Sequence, residues 1–269
     1  MKPECLSEQL MFNTVRLVDN NDGCGTGFFF NFEKDGYICP TIITNKHVVN
    51  YNPNEEITFC LHLTDNEDLP GESHEITYRT NWFFHPSHDL CFCFAAPLFQ
   101  IVKQATGQDV FFIANNMSIV ATPKELSELR ALEEVTMVGY PNGLWDQRNN
   151  FPIFRHGYTA SHPSLDFNRP GVGLVDMACF PGSSGSPIYI LNEASYQDKR
   201  GNFYAATSRV LLLGVLFAGP MFTAEGTLVV RNVPTQMTMC SQTDIAMNLG
   251  LYIHAKELQF FQEMIENMS

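Results

Sequence analysis

Charge is scarce in this chain. Asp, Glu, Lys and Arg make up 17% of its 269 residues, below the roughly 25% of an ordinary soluble domain. Coiled coils and disordered chains are charge-rich or poor in aromatics. A chain with 17% charge and 12% aromatic content is neither. Basic residues are the scarcer sign, with 16 Lys and Arg against 29 Asp and Glu and a formal charge of −13. A nucleic-acid backbone would be repelled on average, so no nucleic-acid partner is expected. Long apolar runs are also missing. The longest, Val210 to Phe222, is broken by Gly214, Gly219 and Pro220, whereas a membrane-spanning helix needs about 20 apolar residues. The opening MKPECLSEQLMF includes Glu4 and Glu8 and lacks the apolar stretch of a signal peptide. These absences predict a cytoplasmic protein with no membrane partner. Eight cysteines are present, at 5, 24, 39, 60, 91, 93, 179 and 240. Without an export signal they read as buried thiols in a reducing compartment.

What the chain does have is apolar material, 45% of its residues, ample for a buried core. It shows no internal repeat and no low-complexity tract. Short β-branched and aromatic runs alternate with Gly, Pro, Asn and Asp. They are Thr14–Val18, Gly27–Phe32, Tyr37–Thr44, Ile57–Leu63, Leu90–Phe94, Val135–Gly139, Ile153–Ala160, Gly173–Ala178, Ser186–Leu191 and Val210–Phe217. Strands of this length with turn signals between them predict an all-β sandwich or barrel. Two segments break the rhythm. Thr122-Pro123-Lys124-Glu125 is a capping box with proline at the first helical position, and it predicts a short helical connection over 121–134. His254 to Met268 places Leu258, Phe261, Met264 and Ile265 at helical spacing.

The chemistry concentrates in Pro181-Gly182-Ser183-Ser184-Gly185-Ser186-Pro187, between two expected strands. Glycines around a serine let the backbone turn tightly and expose amides beside a hydroxyl. Acyl transfer needs that pairing of a nucleophile with N–H donors aimed at a developing oxyanion. Taken alone, an ordinary Gly/Ser turn is the commoner meaning. A serine hydroxyl also needs a base. His47 stands at the end of an apolar strand, in Ile42-Ile43-Thr44-Asn45-Lys46-His47-Val48-Val49, and Asp89 opens the alternating strand His88-Asp89-Leu90-Cys91-Phe92-Cys93-Phe94. Each has a bland meaning by itself, a packed strand-end histidine and a turn aspartate.

Jointly, His47, Asp89 and Ser184 occur in the order His, Asp, Ser. With Gly25-Thr26-Gly27-Phe28-Phe29, Gly139-Tyr140-Pro141 and Gly214-Val215-Leu216-Phe217-Ala218-Gly219, they make the chain resemble the chymotrypsin-like serine peptidases, which share that chain order. The resemblance spans about residues 14 to 219. It implies two six-stranded antiparallel β-barrels with the catalytic groups in the cleft between them. Residues 1–120 would form the barrel carrying His47 and Asp89, and 135–253 the barrel carrying Ser184. Residues 121–134 would connect them, and 254–269 would add the terminal helix. It also implies an oxyanion hole from the amides of Gly182 and Ser184, and no cofactor or metal.

Departures from the secreted digestive branch carry information as well. Val48 follows the histidine where that branch has a cysteine, and Phe180 precedes Pro181 where a bridge would be expected. Ser183 replaces the acidic residue before the nucleophile, so pairing with a newly cleaved amino terminus cannot operate. The chain looks more like the intracellular, HtrA-like branch without its PDZ domain. By position, the first specificity pocket would be based near Ala178 and Cys179 and walled by Phe217, Ala218 and Gly219. It has no acidic base, and a small or apolar residue before the scissile bond is expected.

Alternatives remain open at this point. His85, His88, Asp89, Cys91 and Cys93 are potential zinc ligands, but strand alternation leaves at best a partial site. The cleft could serve a catalytically silent or conditional peptide-binding module. A regulatory protein partner could dock on the helical connection or the terminal helix and order the 182–184 loop.

Overall fold

The computed structural model describes residues 1–65, 67, 69–228 and 239–268. Each of the ten expected runs forms a strand, and shorter strands lie between them. After helix α1 (Leu6–Met11), the N-terminal half consists of β1 (Thr14–Val18), β2 (Cys24–Lys34), β3 (Tyr37–Thr44), β4 (Glu56–Thr64), β5 (Pro70–Arg79), β6 (Phe83–Phe84), β7 (Cys91–Phe94), β8 (Val110–Phe111) and β9 (Asn115–Asn116). Helix α2 (Ala96–Thr106) follows β7, and α3 (Pro123–Glu128) leads to the second half. That half contains β10 (Glu134–Gly139), β11 (Ile153–Thr159), β12 (Val172–Asp176), β13 (Pro187–Asn192), β14 (Ser195–Gln197), β15 (Phe203–Ala205), β16 (Arg209–Ala218), β17 (Met221–Leu228), β18 (Met239–Ala246) and β19 (Leu249–His254). Helix α4 (Gln259–Glu266) ends the described chain.

The second half closes into a six-stranded barrel, β10-β11-β12-β19-β16-β13, as the resemblance implies. The first half is a nine-stranded sheet ordered β5-β4-β1-β2-β3-β7-β6, with β8 on β4 and β9 on β2. Among the described residues its two ends do not pair, so closure of that half into a six-stranded barrel is not seen. The physical reason lies in the end strands. Strand β5 starts with Pro70 and is charged and largely exposed, and β6 is only 2 residues long, features with which sheets leave an edge open to water.

The helical connection is shorter than expected. Its capping box forms, with the Thr122 hydroxyl accepting from Glu125 N at 3.2 Å and the Glu125 carboxylate accepting from Thr122 N at 2.8 Å. The helix then stops at Glu128. Glu133, only 2% exposed, accepts from Arg209 Nη2 at 3.0 Å and from the Arg130 amide at 2.8 Å. That buried pair draws the chain out of helical register.

Helix α4 turns back onto the N-terminal half. Phe261 is fully buried and packs edge-on against Phe92, with ring centroids 4.9 Å apart. Gln262 donates to Glu33 O at 2.8 Å and accepts from Glu33 N at 3.2 Å. Leu258 and Ile265 complete the buried stripe, so the apolar face of this helix is spent within the chain.

Seven cysteines are free thiols among the described residues. Cys60, Cys91, Cys93 and Cys179 are buried as expected; Cys5 is exposed, and Cys24 and Cys39 are half-buried. Another buried group titrates. His62 packs against both Phe12 and Phe151, with Nε2–H facing Asn150 O at 3.1 Å. Burial pushes its pKa down to about 4. An unfolded chain protonates this ring near pH 6.5, so its contribution is complete above that pH and drains away as pH falls toward 4. The expected loss is about 2 kcal/mol between pH 6.5 and 5. Urea melts at the two pH values, compared with His62→Gln, check this; an unchanged pH slope in the variant would refute it.

Candidate active site

Strand pairing brings the two halves of the His–Asp pair together. Strand β3 runs antiparallel to β7 with Thr44 opposite Cys91. Residues just after β3 therefore face residues just before β7. His47 sits in the 3-10 turn Lys46–Val49 that follows β3. Its Nδ1 lies 2.6 Å from Asp89 Oδ2, and its backbone N–H donates to Asp89 Oδ1 at 3.2 Å. Asn45 fixes the other side of the turn, donating from Nδ2 to Asp89 O at 2.7 Å. A carboxylate at Nδ1 selects the tautomer that carries its proton there, leaving Nε2 as the free acceptor. The pair is partly open, with side-chain exposures of 33% for His47 and 20% for Asp89.

The loop between β12 and β13 carries Ser184. Gly182 and Gly185 adopt φ of +86° and +85°, values that favour glycine. A Cβ on Gly182 would stand 2.6 Å from Tyr140 O and 2.9 Å from Asn142 N, and one on Gly185 would run into Thr26 O. The neighbouring carbonyls are both occupied. Pro181 O accepts from Asn142 N, and Ser183 O accepts from Ser186 N at 3.0 Å. In a trans peptide the N–H opposes the C=O, so the amides of Gly182 and Ser184 are turned the opposite way. Among the described residues neither amide donates to a protein acceptor. Ser184 is half-buried, and its hydroxyl makes no hydrogen bond within the described residues. The structure thus joins His47 to Asp89 directly but not to Ser184. Catalytic hydrogen bonds are often long before substrate binds. Ser184 is tied to β2, the strand beside β3, through its carbonyl, which accepts from Thr26 N at 2.8 Å.

Residues 25–193, more than half of the chain, match the family model of the trypsin-like peptidase domain. The chain belongs to the trypsin-like peptidases. No curated protein matches its sequence. Among solved structures it is similar to Deg5, at 14% identity over 78% of this chain and 81% of that one, with a TM-score of 0.44. It is also similar to the scabies mite inactivated protease paralogue S-I1, at 11% identity over 97% of each chain, with a TM-score of 0.46. The segment matched by the family model contains His47, Asp89, Gly182 and Ser184, while Phe217, Ala218 and Gly219 lie beyond it.

The expected pocket residues of this trypsin-like peptidase divide. Ala178 is half-buried, and its carbonyl accepts from Arg155 Nη1 at 3.0 Å. Cys179 turns its side chain into the core of the β10–β19 barrel, where a Cβ on Gly250 would touch its Sγ at 2.5 Å. Burial pushes that thiol up to about 12, so Cys179 could offer a pocket only its backbone. Gly219 faces that backbone, since a Cβ there would lie 3.3 Å from Cys179 O. Ala218 is half-buried beside it. Phe217 instead lines a cavity of about 480 Å³ with Asp89, His88, Arg169 and Glu257.

Sequence reasoning missed Arg169 and Glu257. The Arg169 guanidinium covers the Phe217 ring at 5.0 Å, and Glu257 Oε2 lies 3.3 Å from His88 Nε2. No local motif marks either, because each reaches the cavity from a distant part of the chain. The zinc alternative is dispersed by the same geometry. Asp89 is engaged by His47, Cys91 and Cys93 sit in the N-terminal core, and His85 Nδ1 accepts from the amides of Ser87 and His88. Among the described residues no cluster of three His, Cys, Asp or Glu is arranged to hold a metal ion.

Proposed function

We propose that the protein is a serine endopeptidase that hydrolyses peptide bonds through His47, Asp89 and Ser184. The observation that carries this reading is the 2.6 Å His47–Asp89 contact, standing beside a glycine-turned loop whose Gly182 and Ser184 amides have no acceptor among the described residues. In the reaction His47 Nε2 takes the Ser184 hydroxyl proton as Oγ attacks the substrate carbonyl. Asp89 holds the ring and stabilises the imidazolium, and the two amides receive the oxyanion. His47 then gives the proton to the leaving amine, and water resolves the acyl-enzyme. The substrate is a protein or peptide. With an uncharged Ala178 where a basic side chain would need an acid, cleavage after a small or apolar residue is expected.

The decisive experiment is labelling of purified protein with a fluorophosphonate probe, comparing wild type with Ser184→Ala and His47→Ala. Labelling confined to the wild type is expected. A folded wild type that stays unlabelled would sink the reading in favour of a peptide-binding module. A second outcome tests Asp89 separately. Asp89→Asn keeps the shape of the pair but removes the preference for the Nδ1–H tautomer, so kcat should fall by about 10⁴-fold. Steady-state peptide hydrolysis measures it, and a loss below tenfold would remove Asp89 from its assigned role.

A further inference from the structure

The loop that carries Ser184 has no charged brace among the described residues. Ser183 is fully buried, and its hydroxyl has no hydrogen-bond partner there. A neutral group must therefore keep the amides of Gly182 and Ser184 in line. Thr26, on β2, is fully buried beside the loop. Its hydroxyl donates to Gly182 O at 3.1 Å and accepts from Tyr140 N at 3.1 Å. Its own N–H donates to Ser184 O at 2.8 Å, and its C=O accepts from the Thr44 hydroxyl at 2.7 Å. The carbonyls on either side of Ser183 are thus both tied to one residue. Tyr140 begins the turn whose Asn142 amide holds Pro181 O, so the same hydroxyl also couples that turn to the loop.

We infer that Thr26 is a positioning residue, whose hydroxyl locks the 140–143 turn and the 182–184 loop in the register that presents both amides to the cleft. This rests on the peptidase reading above. A backbone amide and a carbonyl left unpaired in a dry interior lose water without replacement. Without the hydroxyl, the peptide after Gly182 and the Tyr140 amide each need a new partner, and the register is lost. The backbone bonds of Thr26 survive substitution, which separates the hydroxyl's role from that of the strand.

The test compares wild type, Thr26→Val, which is nearly isosteric, and Thr26→Ser, which keeps the hydroxyl. Three readouts are taken: the fluorophosphonate labelling rate, kcat and KM for a peptide, and hydrogen exchange at the Tyr140 amide. Thr26→Val should lower labelling and kcat by about 10²-fold, the scale of losing one oxyanion donor. KM should stay nearly unchanged, and exchange at Tyr140 should accelerate more than at the amides of β10. Thr26→Ser should recover most of each property. Labelling of Thr26→Val at the wild-type rate would overturn the inference and leave the peptidase reading intact. Equal losses in Thr26→Val and Thr26→Ser would overturn it too, because volume rather than the hydroxyl would be at issue. A wild type that is never labelled, with Tyr140 exchange still governed by the hydroxyl, would instead defeat the peptidase reading and with it the catalytic consequence. Should Thr26→Val fail to fold, Thr26→Cys gives the same contrast, since a thiol is a weak hydrogen-bonding group.

Discussion

Ser184→Ala should lower peptide turnover by about 10⁶-fold, the scale seen when the serine of a comparable triad is removed. The substitution deletes one oxygen from a half-buried position whose hydroxyl makes no hydrogen bond within the described residues. Stability should therefore change by no more than about 0.5 kcal/mol. The combination of a large kinetic loss with an unchanged melt separates a nucleophile from a structural serine. Adding His47→Ala to Ser184→Ala should cost little more, because groups that act as one unit are not additive. Active-site-titrated kinetics on the single and double variants measure this. Turnover by Ser184→Ala at near the wild-type rate would place the nucleophile elsewhere.

Phe261→Ala should destabilise the fold by about 3–5 kcal/mol, the usual cost of truncating a buried aromatic. Phe261 lies against Phe92 and Phe32 and beside His85, so its ring joins α4 to the sheet that holds the His47–Asp89 pair. For a domain of this size that loss corresponds to a melting temperature lower by about 10 °C. Phe261→Leu, which keeps most of the volume, should lose much less. Denaturant melts of the two variants provide the comparison. A difference below 1 kcal/mol between them would show that α4 is not part of the cooperative core.

The proposed site rests on short local motifs, and the frame around it on longer patterns. His47, Asp89 and the Gly182–Gly185 loop each lie in a short local motif, and local motifs survive without knowledge of the fold. The strands that were legible are those whose buried faces impose apolar residues, such as β2 and β16. Strand β5 was invisible because its sequence, PGESHEITYR, is mostly exposed and has little apolar alternation. Strand β19 was missed because Gly250 interrupts its short apolar run just after Leu249. That glycine makes room for the Cys179 thiol, a reason visible only in the fold. Helix α2 leaves little trace in the sequence although Pro97 sits in its first turn and Gly107, at φ +76°, caps its end. Its buried stripe is only Leu98 and Val102, too narrow to stand out beside aromatic strands. Cys179 shows a different failure. Position relative to Ser184 placed it in a pocket, whereas side-chain direction, which spacing does not reveal, sends it into the core.

The return of α4 to the first sheet has a consequence for the timing of synthesis. Gln262 and Glu33 are paired across 229 positions of sequence. At about 5–20 residues per second on the ribosome, roughly 10–45 s separate the emergence of the two. Through that interval the faces of Phe32 and Phe92 lack the Phe261 ring that covers them, and the sheet holding His47 and Asp89 is incomplete. The loop that carries Ser184 is translated within the same window. The N-terminal sheet therefore gains its full cover only after the segment around 261 has been made, so its aromatic face is completed among the last steps of synthesis.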